Sequence, residues 1–211
     1  MSRLRFVLFV AAVFTLVGCS TTGGTIGGLF PAPKFLKGEI KNDIYTAQDK
    51  SFSVVVPHKD GSYEYTYMQV KEQYSEYSAY VSFGPAAIDQ SVYRIETAKR
   101  VTPGSQSVKL DDVAPKIVEG YKAQLQKGYG TVPQETESRQ ETINGRKAYF
   151  WKLTQVVPAG KYISNKAATF THDVYVIDFE KGAAIVWVQI PETTKKAAIE
   201  PRAFAESVAM Y

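Results

Sequence analysis

The first 18 residues constrain the fold most, because they have the composition of a targeting segment that a mature protein does not keep. Arg3 and Arg5 give the amino terminus two positive charges, and the next twelve residues, 6–17, form an apolar run in which Thr15 is the only hydroxyl-bearing residue. The small residue Gly18 follows, directly before Cys19. A charged region, an apolar region and a small-residue cleavage site make up a secretory signal peptide. The sequence therefore predicts a signal peptide over residues 1–18 and a fold built only from later residues.

A transmembrane helix is the alternative interpretation of this run. A helix needs about 20 mainly apolar residues to cross a bilayer. The run has twelve, and Gly18 and the Gly- and Thr-rich residues after it do not extend it. The signal-peptide interpretation is therefore favoured.

The stretch Leu16-Val17-Gly18-Cys19-Ser20 resembles the cleavage site of bacterial lipoprotein signals. This resemblance implies that the Cys19 thiol is diacylated, that the signal is removed before it, and that the new amino group is usually acylated too. Two or more acyl chains anchor a protein stably, whereas one chain binds only marginally. In Gram-negative lipoproteins an Asp after the cysteine commonly retains the protein in the inner membrane. Ser20 therefore implies an outer-membrane lipoprotein that faces the periplasm.

Charge and cysteine content exclude several classes of function. The chain has 25 basic and 21 acidic residues, and two of the basic ones, Arg3 and Arg5, belong to the signal. The mature chain is thus nearly neutral, which argues against a nucleic-acid binder, since such proteins carry a basic stripe. Cys19 is the only cysteine. Once it carries lipid, no disulfide, thiol nucleophile or cysteine metal site can form.

Residues 19–37 are predicted to be the acylated cysteine followed by a flexible tether. Gly, Ser and Thr predominate there, and Pro31 and Pro33 stiffen its end. A phosphate-binding loop is not favoured, because no strand precedes these glycines and no Gly-Lys-Ser/Thr follows them. Residues 38–211 are predicted to form one globular domain, since a chain of this length is typical of a single domain.

Alternating apolar residues predict β-strands over most of this domain. The pair Asn144-Gly145 between two such runs predicts a two-residue hairpin turn, because both turn residues need positive φ. The predicted strands cover residues 44–46, 52–56, 63–73, 77–83, 92–101, 135–143, 146–157, 170–179 and 183–190.

Two helices are predicted, one in the middle of the chain and one at its end. Asp111 and Asp112 are good N-cap residues, and Gly128 and Gly130 are expected to end the first helix. Its apolar residues recur every four positions, at Val113, Ile117, Tyr121 and Leu125. The second helix is predicted over residues 197–210. Hairpin-linked strands with two helices predict an α+β domain with a single antiparallel sheet flanked by helices.

The order of these segments is similar to that of the PsbP-like group, which includes the DcrB-type envelope lipoproteins of bacteria. The segments that carry the resemblance are Phe52–Pro57, Glu141–Tyr149, Val174–Phe179, Ala184–Ile190 and Phe204–Val208. The resemblance covers roughly residues 40–211 and implies an α/β/α sandwich around one antiparallel sheet. Members of the group are mostly non-enzymatic accessory proteins, so it implies no catalytic residue and no cofactor for this chain.

The two histidines do not form a recognisable metal or catalytic site. A zinc site wants three or four ligands with local spacing, but His58 lies in a predicted turn with Asp60. His172 and Asp173 are adjacent on a predicted strand, so their side chains point to opposite faces. Histidines that are exposed or make a single hydrogen bond are the favoured interpretation, and we predict no metal ligand and no catalytic residue.

Tyrosine is the one residue type in excess, with 14 in the chain. Tyr63, Tyr65 and Tyr67 alternate with polar residues and would place three rings on one strand face. Ordinary strand tyrosines that belong to the core are one interpretation. The other is an exposed aromatic face that contacts a partner or a glycan.

These observations predict a lipid-anchored, periplasm-facing, non-catalytic module that binds an envelope protein or supports an envelope assembly. Its expected partners are membrane lipid, through Cys19, and an envelope protein. The alternative is a small hydrolase or a peptidoglycan-acting enzyme, which would need a polar pocket with a coupled acid and base.

Overall fold

A computed structural model describes residues 37–57, 69–76, 78–84, 91–99, 109–160, 166–194 and 197–211. Strands dominate this part of the chain, and every strand pair in it is antiparallel. No helix within the described ranges has the length and apolarity that crossing a bilayer requires. The predicted signal peptide, Cys19, the tether up to residue 36, His58 and the three tyrosines at 63, 65 and 67 lie outside the described residues.

The larger sheet has seven strands in the order β4-β5-β6-β10-β9-β8-β7. These strands are β4 (Gln69–Tyr74), β5 (Ser78–Gly84), β6 (Val92–Lys99), β7 (Gln134–Ile143), β8 (Arg146–Val157), β9 (Ala168–Phe179) and β10 (Gly182–Pro191). Its central strands β9 and β10 are buried along most of their length. A strand can be buried on both faces only when a layer covers each side of its sheet.

The smaller sheet has four strands in the order β1-β2-β3-β11. They are β1 (Glu39–Lys41), β2 (Ile44–Thr46), β3 (Phe52–Val55) and β11 (Ala209–Met210). Helix α1 (Leu110–Tyr129) and helix α2 (Pro201–Glu206) complete the described elements. One core cluster joins the small sheet and α2 to one face of the large sheet, and a second joins α1 to the other face.

The prediction of one antiparallel sheet flanked by helices, as in an α/β/α sandwich, is wrong. The fold is mostly β, with two antiparallel sheets, and the layer opposite α1 is the small sheet with the short α2. The predicted helix over 197–210 is also wrong beyond Glu206. There Ala209 and Met210 pair with Ser53 and Phe52, and this contact between the two ends of the domain ends the helix early.

The middle helix follows the predicted apolar periodicity but begins differently. Its N-cap is Lys109, which makes no side-chain cap. The Asp111 carboxylate accepts hydrogen bonds from the Lys147 ammonium and, at 2.8 Å, from the Tyr149 hydroxyl. The helix runs through Gly128 to Tyr129, and Gly130 caps it with a φ of 81°. The acid at the helix start is therefore used to attach α1 to strand β8 rather than to cap the helix.

The Asn144-Gly145 hairpin is confirmed, with φ values of 50° and 76°. Ile143 and Arg146 are the last pair of strands β7 and β8 before this turn. The bounds of β8 agree with the predicted strand at residues 146–157. The hairpin places β7 at one edge of the large sheet, and β8 next to it under α1.

Candidate functional site: a buried polar cluster beneath helix α1

The face of the large sheet that α1 covers combines apolar packing with several buried polar groups. On strand β10, Ile185 and Trp187 pack against residues of α1. Gln189 lies two positions after Trp187, so its side chain points to the same face of the sheet. His172 lies on β9 directly opposite Gln189. We call Tyr121, His172, Trp187 and Gln189 the α1 polar cluster.

His172 is fully buried and is held by the helix. Its Nδ1 lies 3.0 Å from the Tyr121 hydroxyl, and the two rings meet edge to face with centroids 5.8 Å apart. Burial, together with the nearby charge of Arg94, lowers the pKa of His172 to about 3. The imidazole is therefore neutral at neutral pH, and the prediction of a singly hydrogen-bonded histidine is confirmed for this residue.

Three polar atoms of the cluster are buried without a hydrogen-bond partner in the described part of the chain. They are His172 Nε2, Trp187 Nε1 and Gln189 Oε1. Leaving a buried donor or acceptor unsatisfied costs about 1–3 kcal/mol per group. Buried polar groups in native proteins are therefore paired with protein, ordered water or a ligand in the large majority of cases. Three such atoms on one patch of one sheet face single out this region.

Arg94 and Glu96 flank the cluster on strand β6. Arg94 is opposite Trp187, and Glu96 is opposite Ile185, so both share the face beneath α1. Glu96 is only 7% exposed. Burial raises the pKa of its carboxyl to about 8, so the group is mostly protonated at neutral pH. The positive charge of Arg94 acts on both Tyr121 and His172, where it favours the deprotonated tyrosine and the neutral imidazole.

His172 is suited to hydrogen bonding rather than to proton transfer near neutral pH. A general base works best with a pKa near the operating pH, whereas His172 stays neutral down to about pH 3. Asp173 is opposite Val188 and Lys152, on the other face of the sheet, so it cannot orient the His172 ring. Within the described ranges, no group of three or more His, Cys, Asp or Glu residues is placed to hold a metal ion.

A second polar cluster joins the two sheets at strand β4. The Glu72 carboxylate accepts hydrogen bonds from the backbone N–H groups of Lys37 and Gly38, at 2.6 and 2.8 Å. It also accepts from the hydroxyls of Tyr45 and Tyr74. Burial alone would raise the Glu72 pKa, but these donors lower it below the usual value. All four donors serve one carboxylate, so this cluster acts as a structural bridge between the start of the described chain and the large sheet.

The sequence singled out residues that differ from those of the α1 polar cluster. Cys19 and the three tyrosines at 63, 65 and 67 lie outside the described residues, so the predictions made for them stay predictions. Gln189 and the indole N–H of Trp187 were not recognised as candidates. One signal in the sequence could have found them. His172 and Gln189 are polar residues within two predicted strands that are otherwise rich in β-branched and aromatic residues.

Comparisons with known proteins assign no family to the chain. No protein-family model matches it, and no curated protein matches it. A solved structure from Bacteroides thetaiotaomicron is similar with a TM-score of 0.45 and 13% sequence identity, covering 82% of this chain and 49% of that one. The chain thus spans about half the length of that protein.

Proposed function

We propose that the chain is a bacterial envelope lipoprotein, anchored in the outer membrane through acylated Cys19 and facing the periplasm. The observation that carries this proposal is the order of a basic start, a twelve-residue apolar run, Gly18 and Cys19. Ser20 supports the outer-membrane location, because it stands where an inner-membrane lipoprotein commonly has Asp.

The folded domain is proposed to be a non-catalytic module that binds an envelope partner or supports an assembly. Two observations support this role over an enzymatic one. The buried His172 is neutral across the physiological pH range and is occupied by Tyr121 at Nδ1. The neighbouring Asp173 lies on the other side of the sheet. His172 and Asp173 therefore do not make the coupled acid and base that a hydrolase would need.

We expect Cys19→Ser to abolish incorporation of radiolabelled palmitate and to leave the protein unprocessed or released from the outer-membrane fraction. The hydroxyl cannot replace the thiol that receives the diacylglyceryl group. Fractionation of a Gram-negative host on a sucrose gradient, with immunodetection and autoradiography, measures both effects.

Two variants at Ser20 are matched controls for this experiment. Ser20→Ala keeps the cysteine and should be labelled and sorted like the natural chain, whereas Ser20→Asp should be labelled but move to the inner membrane. A Cys19→Ser chain that still fractionated as a mature outer-membrane protein would refute the proposal.

A further inference from the structure

The three unpartnered atoms beneath α1 belong to neighbouring residues of two paired strands. Gln189 and His172 are register partners on β10 and β9, and Trp187 precedes Gln189 by two residues on the same face. Directly opposite Cβ atoms of antiparallel strands are about 4.5–5.5 Å apart, and diagonal neighbours about 7–8 Å. Tyr121 closes the patch from the helix side, with its ring 5.6 Å from that of Trp187 and its hydroxyl on His172 Nδ1.

The chemistry of the three atoms restricts what can satisfy them. The Trp187 indole N–H only donates, and the Gln189 carbonyl oxygen only accepts. His172 Nε2 donates if Tyr121 donates to Nδ1, and accepts if Nδ1 donates to Tyr121. A single occupant must therefore both accept and donate hydrogen bonds. A carboxylate has no proton to give Gln189, and an ammonium group has no lone pair for Trp187.

The surroundings also select against an ionic occupant. All three side chains are more than 90% buried, and a charge moved from water into such a place is costly unless it is paired. The imidazole is neutral, so it offers no counter-charge. The positive charge of the neighbouring Arg94 disfavours a cation, and an anion that Arg94 would attract has no proton for Gln189 Oε1. A hydroxyl group has both a donor and two acceptor lone pairs and carries no charge. When His172 Nε2 donates, a hydroxyl accepts from Trp187 and His172 and donates to Gln189. When Nε2 accepts, two protons are needed, and only a water molecule supplies both.

We propose that His172, Trp187 and Gln189 form an internal binding site for one uncharged hydroxyl group. The hydroxyl accepts a hydrogen bond from Trp187 Nε1 and donates one to Gln189 Oε1, and His172 Nε2 supplies the third contact. The occupant is a water molecule or, with His172 Nε2 as a donor, the alcohol group of a small ligand. This site is independent of the lipid anchor, so the failure of either proposal leaves the other standing.

Nuclear magnetic resonance of the full-length mature chain in detergent tests the site, because the chain has only two tryptophans. Trp187→Phe assigns the two indole N–H signals. We expect the Trp187 indole proton to show a cross-relaxation peak to a long-lived water, or to a carbon-bound proton of a co-purified alcohol. Native mass spectrometry of the same sample distinguishes the two sources, since only an organic ligand adds mass that denaturation removes.

Gln189→Leu should abolish that peak, because the occupant loses its acceptor while the volume of the side chain is nearly kept. Gln155→Leu is the matched control. Gln155 is another buried glutamine on the same sheet face, and its Oε1 also has no partner. It lies on β8, however, which β9 separates from Trp187 on β10, and its amide donates to the Thr131 carbonyl at 2.7 Å. Its substitution should leave the Trp187 peak unchanged. A natural chain whose Trp187 indole proton contacts neither water nor ligand would overturn the proposal, whether or not the variants fold.

Discussion

Replacing Phe204 by alanine is expected to lower the free energy of unfolding by about 3–5 kcal/mol, the cost of truncating a buried phenylalanine. Phe204 is fully buried in α2. Its ring meets Tyr93 at a centroid distance of 4.9 Å and Phe83 at 6.2 Å, and both partners lie on the large sheet. The truncation would thus leave a cavity between α2 and the large sheet. Urea unfolding followed by tryptophan fluorescence measures the loss.

Val156→Ala serves as the control for this experiment, because Val156 is apolar but 55% exposed. Surface substitutions of this kind usually change stability by less than about 0.5 kcal/mol. If Phe204→Ala lowered the free energy of unfolding no more than Val156→Ala does, the result would contradict the packing of α2 against the large sheet.

The second large effect concerns pH, and we expect the ionisation of Glu96 to contribute a loss of stability as the pH rises from about 4.5 to about 8. Burial raises the folded-state pKa of Glu96 to about 8. Between the unfolded and folded pKa values the folded state keeps a proton that the unfolded state has released, so raising the pH favours unfolding. At about 1.4 kcal/mol per pKa unit, the loss is on the order of 4 kcal/mol.

Glu96→Gln should remove this decline, because an amide has the shape of the protonated acid and cannot ionise. The neighbours on the same face are Tyr80 on β5, Ile185 on β10 and Arg94 on β6 itself. Both chains share the opposite contribution of the buried His172, which resists protonation in the folded state and lowers stability as the pH falls from about 6.5 to about 3. The effect of Glu96 is therefore the difference between the two pH profiles. Urea unfolding at several pH values between 4 and 9 measures both slopes.

The exposed Glu119 on α1 provides a matched substitution for the pH experiment. Glu119→Gln makes the same chemical change at the surface, where Glu119 pairs only with Lys122 one helical turn away. It should leave the decline above pH 4.5 intact. A Glu96→Gln chain with the same pH profile as the natural one would show that Glu96 ionises normally in the folded protein.

Local patterns in the sequence were sufficient to predict most of the strands. Ala79, Val81 and Phe83 alternate toward the core as predicted, and so do Tyr93 and Ile95 on β6. These features depend on neighbouring residues. The alternation of side chains along a strand and the residues that a tight turn requires are both set within a few positions of the chain. Both tryptophans, Trp151 and Trp187, lie on such apolar strands and belong to the core under α1.

The division into two sheets could not be predicted in this way. It depends on which strands pair beyond the local hairpins. One such pairing is that of β3 with β11, which joins Phe52 to Met210 near the two ends of the domain. No turn or periodicity specifies a contact between residues so far apart in sequence. The apolar spacing of Phe204 and Val208 fits a longer helix, but the chain leaves the helix after Glu206 to make this pairing.

The candidate site shows the same limit. The sequence placed His172 and Asp173 on opposite faces of a strand, which the register confirms. It did not show that Gln189 lies opposite His172, because that depends on the register of two strands, or that Tyr121 reaches His172 from the helix. A polar residue in an apolar strand is visible in the sequence, but its partners come only from the tertiary structure.

Mass spectrometry of the amino-terminal tryptic peptide tests the lipid anchor most directly. If Cys19 is the acylated first residue of the mature protein, digestion after Lys34 releases a peptide that begins at Cys19 and carries a diacylglyceryl group, usually with a further amide-linked acyl chain. If the signal is not processed, digestion after Arg5 instead releases residues 6–34 with an unmodified cysteine. The lipidated peptide is the result we predict, and the unmodified peptide 6–34 from a bacterial host would contradict the assignment of this chain as a lipoprotein.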